Sequence, residues 1–232
     1  MKHVSQNTIA HNIKAIRAQI KEITQKYARH PDSVQLLAVS KTRPIEDIQA
    51  SFAEDQYHFG ENYLQDALSK IENMPEQAIE WHFIGPIQSN KTRQIAENFN
   101  WVHTLDRLKI AQRLNDQRSP EQSPLNVCIQ VNVSGEKSKS GVGIEDTLTL
   151  AQEISHLPHI NLRGLMTIPA TTSDFEQQRQ PFRLLRELKD EIQSQGIELD
   201  TLSMGMSNDM EAAIAEGSTI VRIGTAIFGA RS

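Results

Sequence analysis

Apolar and polar positions along the chain change period twice. From about Gln6 to Arg29, apolar residues fall at Ile9, Ile13, Ile16, Ile20, Ile23 and Tyr27. Steps of four and three put all six on one face of a helix. His30-Pro31-Asp32 predicts the end of that helix. After it, short apolar runs of strand length alternate with helix-length segments. The first run, Leu36-Leu37-Ala38-Val39, ends at Ser40-Lys41-Thr42-Arg43-Pro44, with Pro44 placed near the first position of the next helix. Tyr57 to Glu61 is the second strand, followed by a helix over Asn62 to Ile71. Glu80 to Gly85 is the third, and Asn90 is suited to cap a helix reaching about Asn98. Trp101 to Thr104 is the fourth, with a helix from Asp106 to about Asp116. Val127 to Val133 is the plainest strand, rich in β-branched residues, and a helix over Asp146 to His156 comes after it. Asn161 to Thr167 is the sixth. A helix from Asp174 to Gln195 contains Pro181, which predicts a kink or a late start. Leu199 to Ser203 and Thr219 to Ile223 complete the strands, with a helix over Ser207 to Glu216 between them.

Strands that alternate with helices make a parallel sheet, either open and doubly wound or closed as a barrel. The count of eight favours the closed form. So does the lack of a Gly-x-Gly-x-x-Gly after the first strand. The expected architecture is therefore α/β, a single (β/α)8 TIM barrel over 1–232. Residues 1–30 add an N-terminal helix packed on it.

Composition narrows the function classes. The 232 residues carry a net charge of −5, with acids and bases interspersed and no Lys/Arg-rich block. Nucleic-acid binding has no support in that pattern. No apolar segment is long enough to span a bilayer, and Met1 to Gln6 lacks the apolar core of a signal peptide. A lone cysteine, Cys128, suits a reducing compartment and reads as buried filler. These features together predict a soluble cytoplasmic protein.

Chemistry in barrels gathers at the carboxyl ends of the strands. Lys41 stands there after the first strand. A partly desolvated amine in that place can attack an aldehyde. After the seventh strand, Ser203-Met204-Gly205-Met206-Ser207 places a hydroxyl at the expected start of a helix, where free amides favour an anion. After the eighth, Arg222-Ile223-Gly224-Thr225 adds a close-approach glycine and a second hydroxyl. Loops seven and eight are the recurrent phosphate site of barrels. An amine facing a phosphate site suits a phosphorylated aldehyde or ketone. Pyridoxal 5′-phosphate (PLP) and the sugar phosphates of Schiff-base aldolases both qualify. Arg222 lies two residues before Gly224, so strand alternation puts both on the inner face. There it can meet a pyridine nitrogen or form a structural ion pair. Because arginine keeps its proton, the nitrogen would stay unprotonated and the ring would be a poor electron sink. His58, His82 and His103 lie in or near strands without the i, i+4 spacing of a helical zinc pair. They read as barrel-mouth or core residues, with His82 the one expected to affect the site, and no metal is expected. Lys137 and Lys139 sit in a polar loop, Ser134 to Gly143, long enough to form a lid.

Motifs spread over nearly the whole chain resemble the pyridoxal phosphate homeostasis protein family. They are Leu37-Ala38-Val39-Ser40-Lys41-Thr42, Phe59-Gly60-Glu61-Asn62-Tyr63, Trp81 to Lys91, Ser138-Lys139-Ser140-Gly141, Gly164 to Ile168, Leu202 to Ser207 and Val221 to Gly229. That family is similar to the barrel domain of alanine racemases. The resemblance implies that Lys41 forms a Schiff base with PLP and that Ser207, Gly224 and Thr225 hold the phosphate. It further implies that Arg222 meets the pyridine nitrogen and that Asn62 lies near the cofactor. Departures from the racemases bear on activity. Racemases use a lysine and a tyrosine, the latter from a second, β-rich domain, and this chain ends where the barrel closes. Tyr27, Tyr57 and Tyr63 occupy no matching motif. Ile45 stands where racemases carry a phosphate-binding tyrosine, and Ile168 where they carry a histidine. The expected function is a PLP carrier or buffer in vitamin B6 homeostasis, with no catalytic residue assigned. Weak amino-acid racemisation is the alternative. PLP-dependent apo-enzymes are candidate recipients, and a monomer is expected.

Overall fold

A computed structural model describes residues 5–74, 78–136 and 140–230. Helix α1 (Gln6–Lys26) opens the chain, and the Ser5 hydroxyl caps it by accepting from the Thr8 amide at 3.3 Å. The predicted isoleucine face is buried along its length. The helix stops at Lys26, four residues before His30. Ala28 turns left-handed at φ 53°, and the amides of Ala28 and Arg29 close back on the Gln25 and Thr24 carbonyls. That is the Schellman ending, usually built on glycine.

Eight parallel strands follow among the described residues and close into a barrel in sequence order. They are β1 (Gln35–Val39), β2 (His58–Glu61), β3 (Glu80–Phe83), β4 (Trp101–Leu105), β5 (Leu125–Gln130), β6 (Ile160–Met166), β7 (Thr201–Ser203) and β8 (Ile220–Ile223). Strand β1 pairs with β2 on one side and β8 on the other, with Leu37 opposite Arg222. The intervening helices are α2 (Ile45–Phe52), α3 (Leu64–Asn73), α4 (Thr92–Asn98), α5 (Leu108–Gln117), α6 (Ile144–Ser155), α7 (Phe175–Ser194) and α8 (Met210–Ala215). A last short helix, α9 (Thr225–Phe228), follows β8. Leucine, isoleucine and phenylalanine fill the layer between strands and helices. Helix α1 packs on α2, α8 and α9, across the seam where β1 meets β8.

Several boundaries depart from the sequence expectation. Asn90 caps no helix: Ser89–Lys91 tightens into a 3-10 turn, and α4 starts at Thr92 without a side-chain cap. Pro181 neither delays nor ends α7. The Asp174 carboxylate accepts from the Gln177 amide at 2.8 Å and starts the helix at Phe175. Phe182, Leu185, Leu188 and Ile192 then anchor one face in the core, so burial outweighs the lost backbone bond. Strand β5 pairs only to Gln130, after which a single bridge joins Val131 to Val142. Lys137 and Lys139 lie outside the described residues.

Candidate functional site

The turn carrying Lys41 is held by a buried ion cluster. Ser40 donates its amide to the Gly60 carbonyl at 3.0 Å and its hydroxyl to Glu61 Oε1 at 2.6 Å. Lys70, from α3, spends its three ammonium protons on the Ser40 carbonyl (2.9 Å), Glu61 Oε1 (2.8 Å) and Asp66 Oδ2 (2.8 Å). Asp66 Oδ2 also accepts from the Thr42 amide at 3.0 Å, and Thr42 takes a left-handed φ of 62°. Lys41 is thus fixed from both neighbours, half-buried, two residues beyond β1. Burial pushes the Glu61 carboxyl up from its ordinary range, against the opposing pull of Lys70 and Ser40. Sequence reasoning missed this cluster. Its one visible signal was the i, i+4 pairing of Asp66 with Lys70.

On the adjacent strand, Arg222 projects from β8 into the barrel and is buried. It donates to Ser203 Oγ at 2.8 Å and to the Thr167 carbonyl at 2.9 Å. Desolvation lowers its pKa to about 10, countered by the Asp209 charge, so it is a cation at neutral pH. Ser203 Oγ lies 2.7 Å from His103 Nδ1; His103 Nε2 lies 2.9 Å from His82 Nδ1; His82 Nε2 lies 3.3 Å from His58 Nδ1. A line of imidazoles therefore runs from Arg222 through the barrel. His82 and His103 are fully buried, and burial holds both neutral, His103 with a pKa of about 3. His58 opens β2, so it stands at the amino-terminal end of the barrel and not at its mouth.

All six predicted site residues line one cavity of about 520 Å³: Lys41, Asn62, Ser207, Arg222, Gly224 and Thr225. Val39, Ile84 and Met166 supply apolar lining. A Cβ on Gly224 would stand 3.2 Å from the Val39 carbonyl oxygen, so glycine keeps this wall thin. Gly205 has a φ of 99°, and a Cβ there would meet Ala213 Cβ at 2.6 Å. Asn62 Oδ1 is buried with no hydrogen-bond partner among the described residues. An orphaned buried carbonyl in a cavity wall fits a ligand that supplies a donor or an ordered water. Ser207 departs from expectation. It sits in the turn before α8, whose amino-terminal cap position is Asp209, and Asp209 Oδ1 accepts from the Met206 amide at 2.6 Å. Ser207 thus reaches the cavity from a loop, not from a helix terminus.

Residues 7–232 match the alanine racemase, N-terminal domain family. A pyridoxal phosphate homeostasis protein of Vibrio alginolyticus is 58% identical over 229 residues, 97% of this chain and 98% of that one. The chain belongs to the pyridoxal phosphate homeostasis protein family. Among solved structures, that of PipY of Synechococcus elongatus with PLP bound superposes with a TM-score of 0.83 at 33% identity. That match covers 95% of this chain and all of PipY (100%). Alanine racemase of Corynebacterium glutamicum shares the fold at a TM-score of 0.75 and 16% identity, over 99% of this chain and 63% of the racemase. The barrel expected from the strand count is the one the family carries.

Proposed function

We propose that this chain binds pyridoxal 5′-phosphate and serves vitamin B6 homeostasis in the cytoplasm as a carrier or buffer, not as a turnover enzyme. The observation that carries the reading is the convergence of an amine, a buried cation, two hydroxyls and a close-approach glycine on one cavity. The donor set fits the group. Lys41 would supply the amine, Gly224, Thr225 and Ser207 would hold the phosphate, Arg222 would stand by the ring nitrogen, and Asn62 would lie near the cofactor. When bound, PLP supplies an aldehyde that an amine can capture reversibly. The Glu61–Lys70–Asp66 cluster orients the Lys41 turn, and Ser203 and the Thr167 carbonyl orient Arg222. Arg222 keeps its proton at neutral pH, so a ring nitrogen placed beside it would stay unprotonated. Racemisation needs a base on each side of the substrate carbon. Tyr27 is bonded to Glu211 and Tyr57 to Asp55, and Tyr63 is exposed; none of the three lines the cavity. The whole of 1–232 acts as one cofactor-binding barrel domain, functions as a monomer, and passes PLP to apo-enzymes. No helix of the described residues is long and apolar enough to cross a membrane.

The test is borohydride reduction of the PLP-loaded protein followed by peptide mapping. A yellow protein with a reduced adduct on Lys41 is the expected result. A protein that takes up no PLP, or an adduct on another lysine, overturns the assignment. Rapid turnover in a racemase assay across a panel of amino acids overturns the non-enzyme reading.

A further inference from the structure

The imidazole line ends, on the side away from Lys41, in three groups with metal-ligand chemistry. Strand register brings them together: His58 pairs with Glu80 across β2 and β3, and Gly60 pairs with His82. Glu80 and His82 are two apart on β3, so they point to one face. His58 Nδ1 stands 3.3 Å from His82 Nε2 and 3.5 Å from Glu80 Oε2, and the three donor atoms all lie within 4.8 Å of one another. Both measured spacings exceed an ordinary hydrogen bond of about 2.9 Å. Farther along the same line the links shorten to 2.9 and 2.7 Å. A tetrahedral ion with bonds of about 2.0–2.1 Å sets its ligand atoms about 3.3 Å apart, which is the spacing seen at the open end of the line.

We propose that His58 Nδ1, His82 Nε2 and the Glu80 carboxylate form a divalent transition-metal site, of the class that binds zinc, at the amino-terminal face of the barrel. Two imidazoles and one carboxylate are a ligand set that suits zinc, and soft-only or oxygen-only metals match it less well. The supporting shell is already built. His82 Nδ1 faces His103 Nε2, so with a metal on Nε2 the remaining proton sits on Nδ1 and points at His103. His103 in turn donates to Ser203 Oγ, which has a second lone pair for Arg222. Trp101 donates its indole proton to Glu80 Oε2 at 3.1 Å and stacks on the His82 ring at 5.4 Å. These are the outer partners that orient metal-binding histidines and carboxylates. The nearby Arg163 cation is engaged by Asp200 at 2.6 Å, leaving Glu80 to the site. His58 and Glu80 are partly exposed, with side chains at 29% and 48%, which gives an entry path and room for water as a fourth ligand. The site lies at the end of the barrel opposite the Lys41 cavity and does not depend on the PLP reading.

The experiment uses untagged full-length protein stripped with a chelator. Zinc is titrated in competition with a fluorescent chelator, and cobalt(II) is added separately to read coordination from its visible spectrum. Expected are one saturable equivalent of zinc and the intense d–d absorption of low-coordinate cobalt. His58→Ala and Glu80→Gln, both at partly exposed positions, each lower zinc affinity at least about 10-fold, with unchanged circular dichroism. His30→Ala, at an exposed histidine elsewhere, leaves affinity unchanged. Binding without a one-equivalent step overturns the proposal. So does affinity unaltered in His58→Ala and Glu80→Gln, or a loss in His30→Ala as large as in those variants.

Discussion

Acidification from about pH 7 to about pH 5 tests whether the barrel interior carries neutral imidazole. His103 is fully buried between His82 and Ser203, and desolvation, then the Arg222 charge, takes its pKa from 6.5 to about 3. The unfolded chain protonates this ring near its ordinary value; the folded chain refuses the proton until about pH 3. Between those limits the unfolded state binds more protons. Stability from this group is therefore complete above the ordinary pKa and drains away as pH falls toward the folded one. At about 1.36 kcal/mol per pKa unit, the step from about pH 7 to about pH 5 costs about 2 kcal/mol through His103. His82, also held neutral by burial, adds in the same direction. The measurement is urea unfolding followed by fluorescence of the buried Trp81 and Trp101, with chelator present. His103→Gln offers a donor and an acceptor to the same neighbours but cannot titrate. Its stability loss over the same step should be smaller than that of the unaltered chain by about 2 kcal/mol. Equal losses in the two proteins would refute a neutral, buried His103.

Three further outcomes are expected. Lys70→Met strands the Glu61 carboxyl in the core and should cost about 3–5 kcal/mol in urea unfolding, with much of it regained in Lys70→Met/Glu61→Leu; a double variant no better than the single would contradict the buried pair. Glu216, buried, accepts from Arg179, Arg183 and Arg186. Burial pushes its carboxyl up, but the bonds from Arg183 and Arg179 outweigh that and leave it below 4.5. Its stabilisation is present at neutral pH and fades as pH drops below 4.5 through the folded value, so Glu216→Gln should lower stability at neutral pH and flatten the acid limb of the stability curve. Ala28→Gly relieves a left-handed backbone at φ 53° and should raise stability by about 0.5–1 kcal/mol, read as a shift of the urea midpoint at constant slope.

The strands were legible because apolar runs of strand length recur between helix-length segments, and Lys41, Gly224 and Thr225 were legible because each lies within two residues of the end of such a run. Boundaries failed where a turn overrode the local pattern. Gly205 and Asp209 shape the turn ahead of α8 and shift its start to Met210, which removes Ser207 from a helix terminus. Burial of four side chains carries α7 through Pro181. The polar interior was hidden for a different reason. His82, His103, Ser203 and Arg222 come from four strands, and only register determines which of them touch. Lys70 on α3 reads as a solvent-facing residue until the helix is docked, because its partner Glu61 lies at the end of β2.

Helix α1 also sets an order of events during synthesis. Its isoleucine face rests on α2, α8 and α9, and Asn12 donates to the Ile227 carbonyl at 2.8 Å across 215 residues of chain. At about 5–20 residues per second, a ribosome takes about 10–40 s to deliver that partner after α1 has been made. Strand β1 waits as long for β8. For that interval the nascent chain carries an unmatched apolar stripe and an open sheet edge at its leading end, the features that chaperones bind and that neighbouring nascent chains can pair with. Closure of the seam has to wait until β8 and α9 have been translated.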